Sequence, residues 1–332
     1  MVHTKSDFFK LRIEAWGLLT AFGVIISGTT VAGFLGSFAW FLDLFCHFRV
    51  QYFVSLAVVS LLLLIRGRRK TAAFFGVGAV VNLATILPFY LGSAERALPT
   101  ASSLRAVLVN VNTQFGDLQR VSQFLKEQNP DLIVLEEVNT KWLDGLRPVT
   151  DSYHYSKSEP RDDNFGIALF SRISFSRCEV VYIGDAEVPS LVAELESPDD
   201  GEFTVLATHP LPPGGAVYSR WRNNQLTALP EHVRAATSPV LLLGDLNVTP
   251  WSPHFRRLVK DSGLKDSARG HGIQPTWPTF NPLFLIPVDH CLHSAEIRIL
   301  RREIGPNVGS DHYPMIVDFA LVSANEPNVP AA

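Results

Sequence analysis

The sequence predicts an α/β protein in two parts: three membrane-spanning helices, then a globular domain of two packed sheets with helices outside. Three observations carry this. The first hundred of the 332 residues hold three long, nearly uncharged runs. From Leu104 onward, short β-rich runs outnumber helical stretches, which argues against a doubly wound parallel sheet. Several of those runs end in an acid, an amide or a histidine.

Charge divides the chain at the same place. The first hundred residues carry 9 Lys and Arg against 4 Asp and Glu, while the remainder carries 20 against 28. The globular part is therefore acidic, with no global field to draw in a polyanion. That argues against a high-affinity, sequence-independent nucleic-acid binder and leaves room for a small local site. Three cysteines make no disulfide framework and none has metal-ligand spacing. Cys178 and Cys291 are read as free thiols, with pairing in an oxidising compartment as the alternative.

The apolar runs cover about 15–40, 48–66 and 71–94 of an anchor spanning 1–94. A bilayer span needs about 20 apolar residues, which the first and third supply. The second is shorter, and Arg49 and Arg66 at its ends are expected to snorkel. Lys5, Lys10 and Arg12, and the cluster from Arg66 to Lys70, belong on the cytoplasmic side by the positive-inside rule. Three spans then put everything after Ala94 outside: a multi-pass protein of the inner (plasma) membrane with its globular domain on the extracytoplasmic, periplasmic side. Asn82, the strongly polar residue of the third run, is expected to pack helix against helix.

Residues 95–103 read as a tether, 104–322 as the globular domain and 323–332 as a disordered tail. Strands are predicted at 105–111, 132–135, 166–170, 179–183, 190–195, 203–208, 241–243, 283–285, 297–301 and 315–321. Helices are predicted at 118–128, 220–236 and 252–262, the last opened by Ser252 as N-cap and Pro253 in the first turn.

The stretch from Leu241 to Pro250 organises the domain. Three leucines read as a core strand that Gly244 ends, with Asp245 and Asn247 at its mouth. Residues two apart in an extended chain share a face, so a carboxylate and an amide project together and can deprotonate and hold a water. Other runs end similarly, in Asn110, in Glu137, in His209, in Asp289-His290, and in Ser310-Asp311-His312 before the last strand. Asn110 and Asn112, two apart, are expected on one face. Arg220, Trp221 and Arg222 are weighed as phosphate contacts, and Trp251 and Trp277 as core or rim aromatics.

In chain order, these stretches resemble the metal-dependent endonuclease/exonuclease/phosphatase superfamily across about 104–322. The carriers are Val109-Asn110-Val111, Pro130-Asp131 with Leu135-Glu136-Glu137, Gly166 with Ser171-Arg172, Thr208-His209, Gly244-Asp245-Leu246-Asn247, Val288-Asp289-His290 and Ser310-Asp311-His312-Tyr313-Pro314. The three N-terminal spans look like those of membrane-anchored bacterial members. The resemblance implies a four-layer αββα sandwich of two mainly antiparallel sheets. It implies Mg²⁺ or Mn²⁺ held by Glu137 and Asn110, with Asp311 as a further ligand. It also implies that Asp245 activates the water, Asn247 holds phosphate or water, and His312, oriented by Asp289, contacts the phosphoryl group. His209 matches deoxyribonuclease I-like and sphingomyelinase-like members and tilts away from abasic-site repair. Glu136 departs from the usual glutamine and leaves open whether it joins the site; Asn112 leaves the same question beside Asn110.

The activity implied is metal-dependent hydrolysis of a phosphate ester, by a phosphodiesterase or phosphatase. The substrate is a nucleic acid, or alternatively a phospholipid or inositol-phosphate headgroup. The partners expected are that substrate and the bilayer, with no obligate protein partner. A non-catalytic membrane-tethered binding module is the reading from a different class.

Overall fold

A computed structural model describes residues 15–91, 103–197 and 201–322. The expected tether, apart from Ser103, and the expected tail lie outside the described residues.

The N-terminal part is a bundle of α1 (Ala15–Phe34), the short α2 (Trp40–Asp43) running through a 3-10 turn into α3 (Arg49–Ile65), and α4 (Arg69–Ile86). Three stretches, Ala15–Phe34, Trp40–Ile65 and Arg69–Phe89, are long and apolar enough to cross a membrane. Leu56, Val59, Leu63, Ala72 and Phe75 fill the bundle interior, while Leu18, Ile25, Leu61 and Ile65 face outward. Asn82 donates to Thr30 Oγ1 at 3.0 Å, the interhelical contact expected of it. Arg49 does not snorkel: it is 1% exposed and donates to the Thr30 carbonyl.

The globular domain has two six-stranded sheets. One, ordered β11-β12-β1-β2-β4-β3, is built from β1 (Leu104–Asn110), β2 (Leu132–Glu136), β3 (Tyr155–Glu159), β4 (Ile167–Ser171), β11 (Ile297–Ile304) and β12 (Met315–Leu321). The other, β5-β6-β7-β8-β10-β9, uses β5 (Ser174–Tyr182), β6 (Pro189–Ser197), β7 (Gly201–Thr208), β8 (Val240–Asp245), β9 (Lys265–Asp266) and β10 (Asp289–His293). Pairing is antiparallel except for β1 with β2 and β7 with β8. Helices α5 (Leu118–Gln128) and α6 (Thr140–Thr150) cover the first sheet; α7 (Ala216–Ala235) and α8 (Pro253–Ser262) cover the second. The result is the four-layer sandwich expected.

Strand alternation builds all three cores. Leu104, Ala106 and Leu108 of β1, Leu132 and Val134 of β2, and Leu241 and Leu243 of β8 meet between the sheets. Val107, Val109, Ile133 and Leu135 face α5 and α6, and Val240 and Leu242 face α7 and α8.

Two predictions are corrected. The apolar run 283–285 is not a strand: Leu283 is 75% exposed, and the pairing strand is β10, six residues later. Gly244 does not end the core strand but belongs to it, pairing with His290. A Cβ there would meet the Thr208 carbonyl oxygen at 1.9 Å, so glycine is what lets β7 and β8 close together. Sequence reading also missed α6, whose N-cap is Asn139, and the edge strand β3. Cys178 and Cys291 are free, as read.

The bundle and the domain meet directly. Asp43 pairs with Arg222 at 2.6 Å and accepts from Ser252 at 2.7 Å. His47 bonds Thr249, Gln51 donates to the Leu285 carbonyl, and Trp251 donates to the Thr85 carbonyl. Ile86, Phe89, Trp251 and Ala268 form a small apolar cluster across this junction.

Candidate active site

The same alternation that fills the core delivers the site. Continuing the inter-sheet positions of β1, β2 and β8 toward one edge of the sandwich gives Asn110, Glu136 and Asp245. Asp289, at the start of β10, pairs with Asp245 across the ladder, and Asn110 pairs with Glu136. His209 follows β7, and Ser310 to His312 precede β12 at the same edge. All six predicted strand-end sites converge.

Glu136 is fully buried and accepts the Asp245 backbone N–H through both oxygens, at 3.2 and 3.0 Å. It thus ties one sheet to the other. Burial pushes its carboxyl up to about 8. Glu137 instead leaves the strand with φ 58°, a conformation uncommon for a residue with a Cβ. Thr113 donates its hydroxyl to the Glu137 carbonyl and helps hold that turn. Its Oε1 accepts from Asn110 at 3.0 Å, while Oε2 is buried with no partner. Burial raises this carboxyl too.

Asn110 and Asn112 do not share a face. The backbone turns at Asn112 (φ 53°), which donates to Asp311 Oδ1 at 2.7 Å, while Asn110 stays with Glu137. Asp311 is also bonded through Oδ2 by the Trp277 indole at 3.0 Å. Both of its oxygens are engaged, so it orders Asn112 and Trp277 in this state. Trp277, read from the sequence as a core or rim aromatic in preference to a base-stacking platform, therefore supports the site; its ring lies 6.4 Å from that of His312.

Two imidazoles converge on one carboxylate oxygen. His209 Nε2 lies 3.5 Å and His312 Nε2 3.6 Å from Asp245 Oδ2. His312 Nδ1 is 2.9 Å from Asp289, which fixes the ring's orientation. Burial opposes charge on both rings, but the surrounding carboxylates outweigh it. Asp245 with Glu136 and Glu137 lifts His209 to about 9, and Asp289 with Asp245 lifts His312 to about 10. Burial pushes the Asp245 carboxyl up, yet His312 and His209 together pull it below the usual range. Asn247 adopts φ 51°, donates its backbone N–H to Asp245 at 2.8 Å and its side-chain amide to the Pro210 carbonyl at 2.9 Å. The amide lies 3.2 Å from His209 Nε2.

Arg222 is not a phosphate contact. It is fully buried, with one nitrogen on the Asn247 carbonyl at 3.0 Å and another on Asp43. It links the bundle to the loop that carries Asn247, a role no local sequence signal marks.

Among the described residues, no group of three His, Cys, Asp or Glu converges as a metal-binding cluster. The donor set at the edge is one carboxylate, Glu137 Oε2, with the Asn110 amide beside it. Oxygen donors few in number suit a cation that keeps most of its waters, as Mg²⁺ does, rather than zinc.

The fold is thus a two-sheet sandwich with a carboxylate between two imidazoles at one edge. A sequence model of the endonuclease/exonuclease/phosphatase family matches residues 107–312, and the chain belongs to that family. Among solved structures, the human Nocturnin catalytic domain with bound sulfate aligns at TM-score 0.56 and 17% identity, covering 66% of this chain and 95% of that one. TDP2 from D. rerio, complexed with a single-strand DNA product, aligns at 0.53 and 17%, covering 66% and 99%. A family protein from Bacteroides thetaiotaomicron aligns at 0.57 and 16%, covering 68% and 100%. These likenesses concern the fold. No curated protein matches the chain.

Proposed function

We propose that the chain is a membrane-anchored, metal-dependent phosphodiesterase or phosphatase that works outside the cytoplasm. The observation that carries the chemistry is the pair of imidazoles on Asp245 Oδ2, beside the unpartnered Glu137 Oε2. Asp245, held ionised between two cationic rings, accepts the proton of an attacking water. His312 and His209, protonated at neutral pH, donate to phosphoryl oxygens as negative charge grows there. Asn247 fixes the water through its amide, and Asp289 keeps His312 in place. A divalent ion at Glu137 and Asn110 would supply further charge neutralisation on the phosphoryl group.

The test uses the full chain in detergent with bis-p-nitrophenyl phosphate and Mg²⁺ or Mn²⁺. Asp245→Asn and His312→Ala are each expected to lower turnover by roughly a thousandfold or more. Chelation is expected to abolish it. Wild-type protein with no metal-dependent turnover on any phosphodiester or phosphomonoester would sink the enzyme reading.

A second reading of the substrate, a lipid-borne phosphate ester, has its own support. The segment carrying Trp277 to the site also bears Phe280, Leu283 and Phe284, which are 76%, 75% and 54% exposed. Phe284 packs edge-on against Phe48 at the head of α3, and the Leu285 carbonyl is bonded by Gln51. An apolar lip beside the end of a span suits a substrate presented at a bilayer surface. A panel of DNA, RNA, sphingomyelin and inositol phosphates separates the readings. Topology has a separate check: a C-terminal alkaline phosphatase fusion should be active, and an inactive one contradicts the three-span orientation.

A further inference from the structure

We propose that the cleft between the bundle and α8 binds the phosphate headgroup of an anionic membrane lipid, apart from the hydrolytic site. The proposal rests on the reading that the three N-terminal helices cross a membrane. The cleft is a cavity of about 400 Å³. That volume suits a glycerophosphate headgroup and not a whole lipid.

Its position comes from its walls. Phe34 ends α1, Arg49 begins α3 and Phe89 follows α4, so all three helices contribute the same end. In a spanning bundle that end lies at headgroup depth. The opposite wall is α8, which presents Phe255 with Arg256 and Lys260, four apart and on one face.

Its chemistry is cationic at the polar positions and aromatic between them. Arg49, Arg256, Lys260 and Arg269 line the cavity against a single carboxylate, Asp266. Asp266 accepts the backbone N–H of Ala268 at 2.9 Å. None of the four cations has a carboxylate within ion-pair distance among the described residues. Arg49 is the telling member: it is 1% exposed, its guanidinium lies 4.0 Å from the centre of the Phe34 ring, and its Nε is buried with no hydrogen-bond partner. A buried guanidinium donor without an anion is costly, and a phosphate with several acceptor oxygens is the group that relieves it. Trp251 and Phe255 supply an apolar flank for the glycerol end.

The experiment titrates the delipidated full chain in a mild neutral detergent with dioleoyl phosphatidylglycerol, dioleoyl phosphatidylcholine or inorganic phosphate. Binding is read by native mass spectrometry and by the thermal midpoint. Phosphatidylglycerol is expected to bind one to one and raise the midpoint, with phosphatidylcholine at least tenfold weaker. Arg256 and Lys260 are exposed, so R256E/K260E should fold; it is expected to bind phosphatidylglycerol roughly 30-fold more weakly. Lys126→Glu, on the far helix α5, and His312→Ala should both bind as wild type. Equal binding of the two lipids, equal protection by inorganic phosphate, or unchanged affinity in R256E/K260E would each overturn the proposal. Recovery of the chain as a soluble protein without detergent would overturn the membrane reading instead, and is seen at extraction, before any titration.

Discussion

Glu136 is a fully buried carboxyl that holds the backbone of Asp245. It lies between the sheets, and its two oxygens accept the one backbone N–H that positions Asp245. Glu136→Gln should keep that contact and leave turnover within about twofold of wild type, whereas Glu136→Leu orphans the amide and should cost about 1–3 kcal/mol of stability. The folded carboxyl holds its proton to about 8 against an ordinary 4.5. Its contribution to stability is thus full below 4.5 and lost as pH rises through 8. Thermal midpoints measured with EDTA between about pH 5 and pH 9 should fall more steeply in wild type than in Glu136→Gln. A variant falling just as steeply would contradict this account. Asp289→Asn should leave the fold intact and lower kcat by roughly a thousandfold, since it misplaces the proton on His312. Much of this site was legible in the sequence, because two-residue alternation puts Asn110, Asp245 and Asp289 on the face that also holds Leu108, Leu243 and Cys291. The turns at Asn112, Glu137 and Asn247 were not legible. Their left-handed backbone depends on partners such as Thr113 and Asp311, and alternation carries no information once a strand ends.

At the scale of elements, α7 is the part whose role the sequence concealed. Its Arg220-Trp221-Arg222 stretch is weighed in the sequence as a phosphate contact, yet Arg222 is fully buried between Asp43 of the bundle and the Asn247 carbonyl. Nothing local marks a partner 179 positions away. Arg222→Met leaves Asp43 buried without its counter-charge and should cost about 3–5 kcal/mol, read as the unfolding midpoint of the full chain in detergent. Asp43→Leu combined with Arg222→Met should recover much of that loss, because the buried charge is gone. If the double variant is no more stable than Arg222→Met, the ion pair is not the source of the cost. The strand 283–285 failed as a prediction for a related reason. An apolar triplet can line a core strand or an exposed lip, and periodicity alone does not separate them. The runs that form β1, β2, β7 and β8 were read correctly, and they are buried on both faces over most of their length.

For the whole molecule, the two parts share one edge. The bundle packs on the segment from Thr249 to Ser252 that follows Asn247, and Phe284 of the apolar lip packs against Phe48 at the head of α3. The two-part organisation was visible in the charge and hydropathy of the chain, but their docking was not, since composition says nothing about which surfaces meet. That docking has a consequence for shedding. With Asp43, His47, Gln51 and Thr85 all bonded across the junction, covalent continuity through residues 95–103 is not what holds the halves together. A protease site engineered there should be cut without releasing the globular half. After cleavage the two fragments should co-elute on size exclusion in mild detergent, and should part when Arg222→Met is introduced. Under the membrane anchoring proposed above, a chain built this way would resist liberation into the surrounding medium by clipping, and the proposed activity would stay at the bilayer.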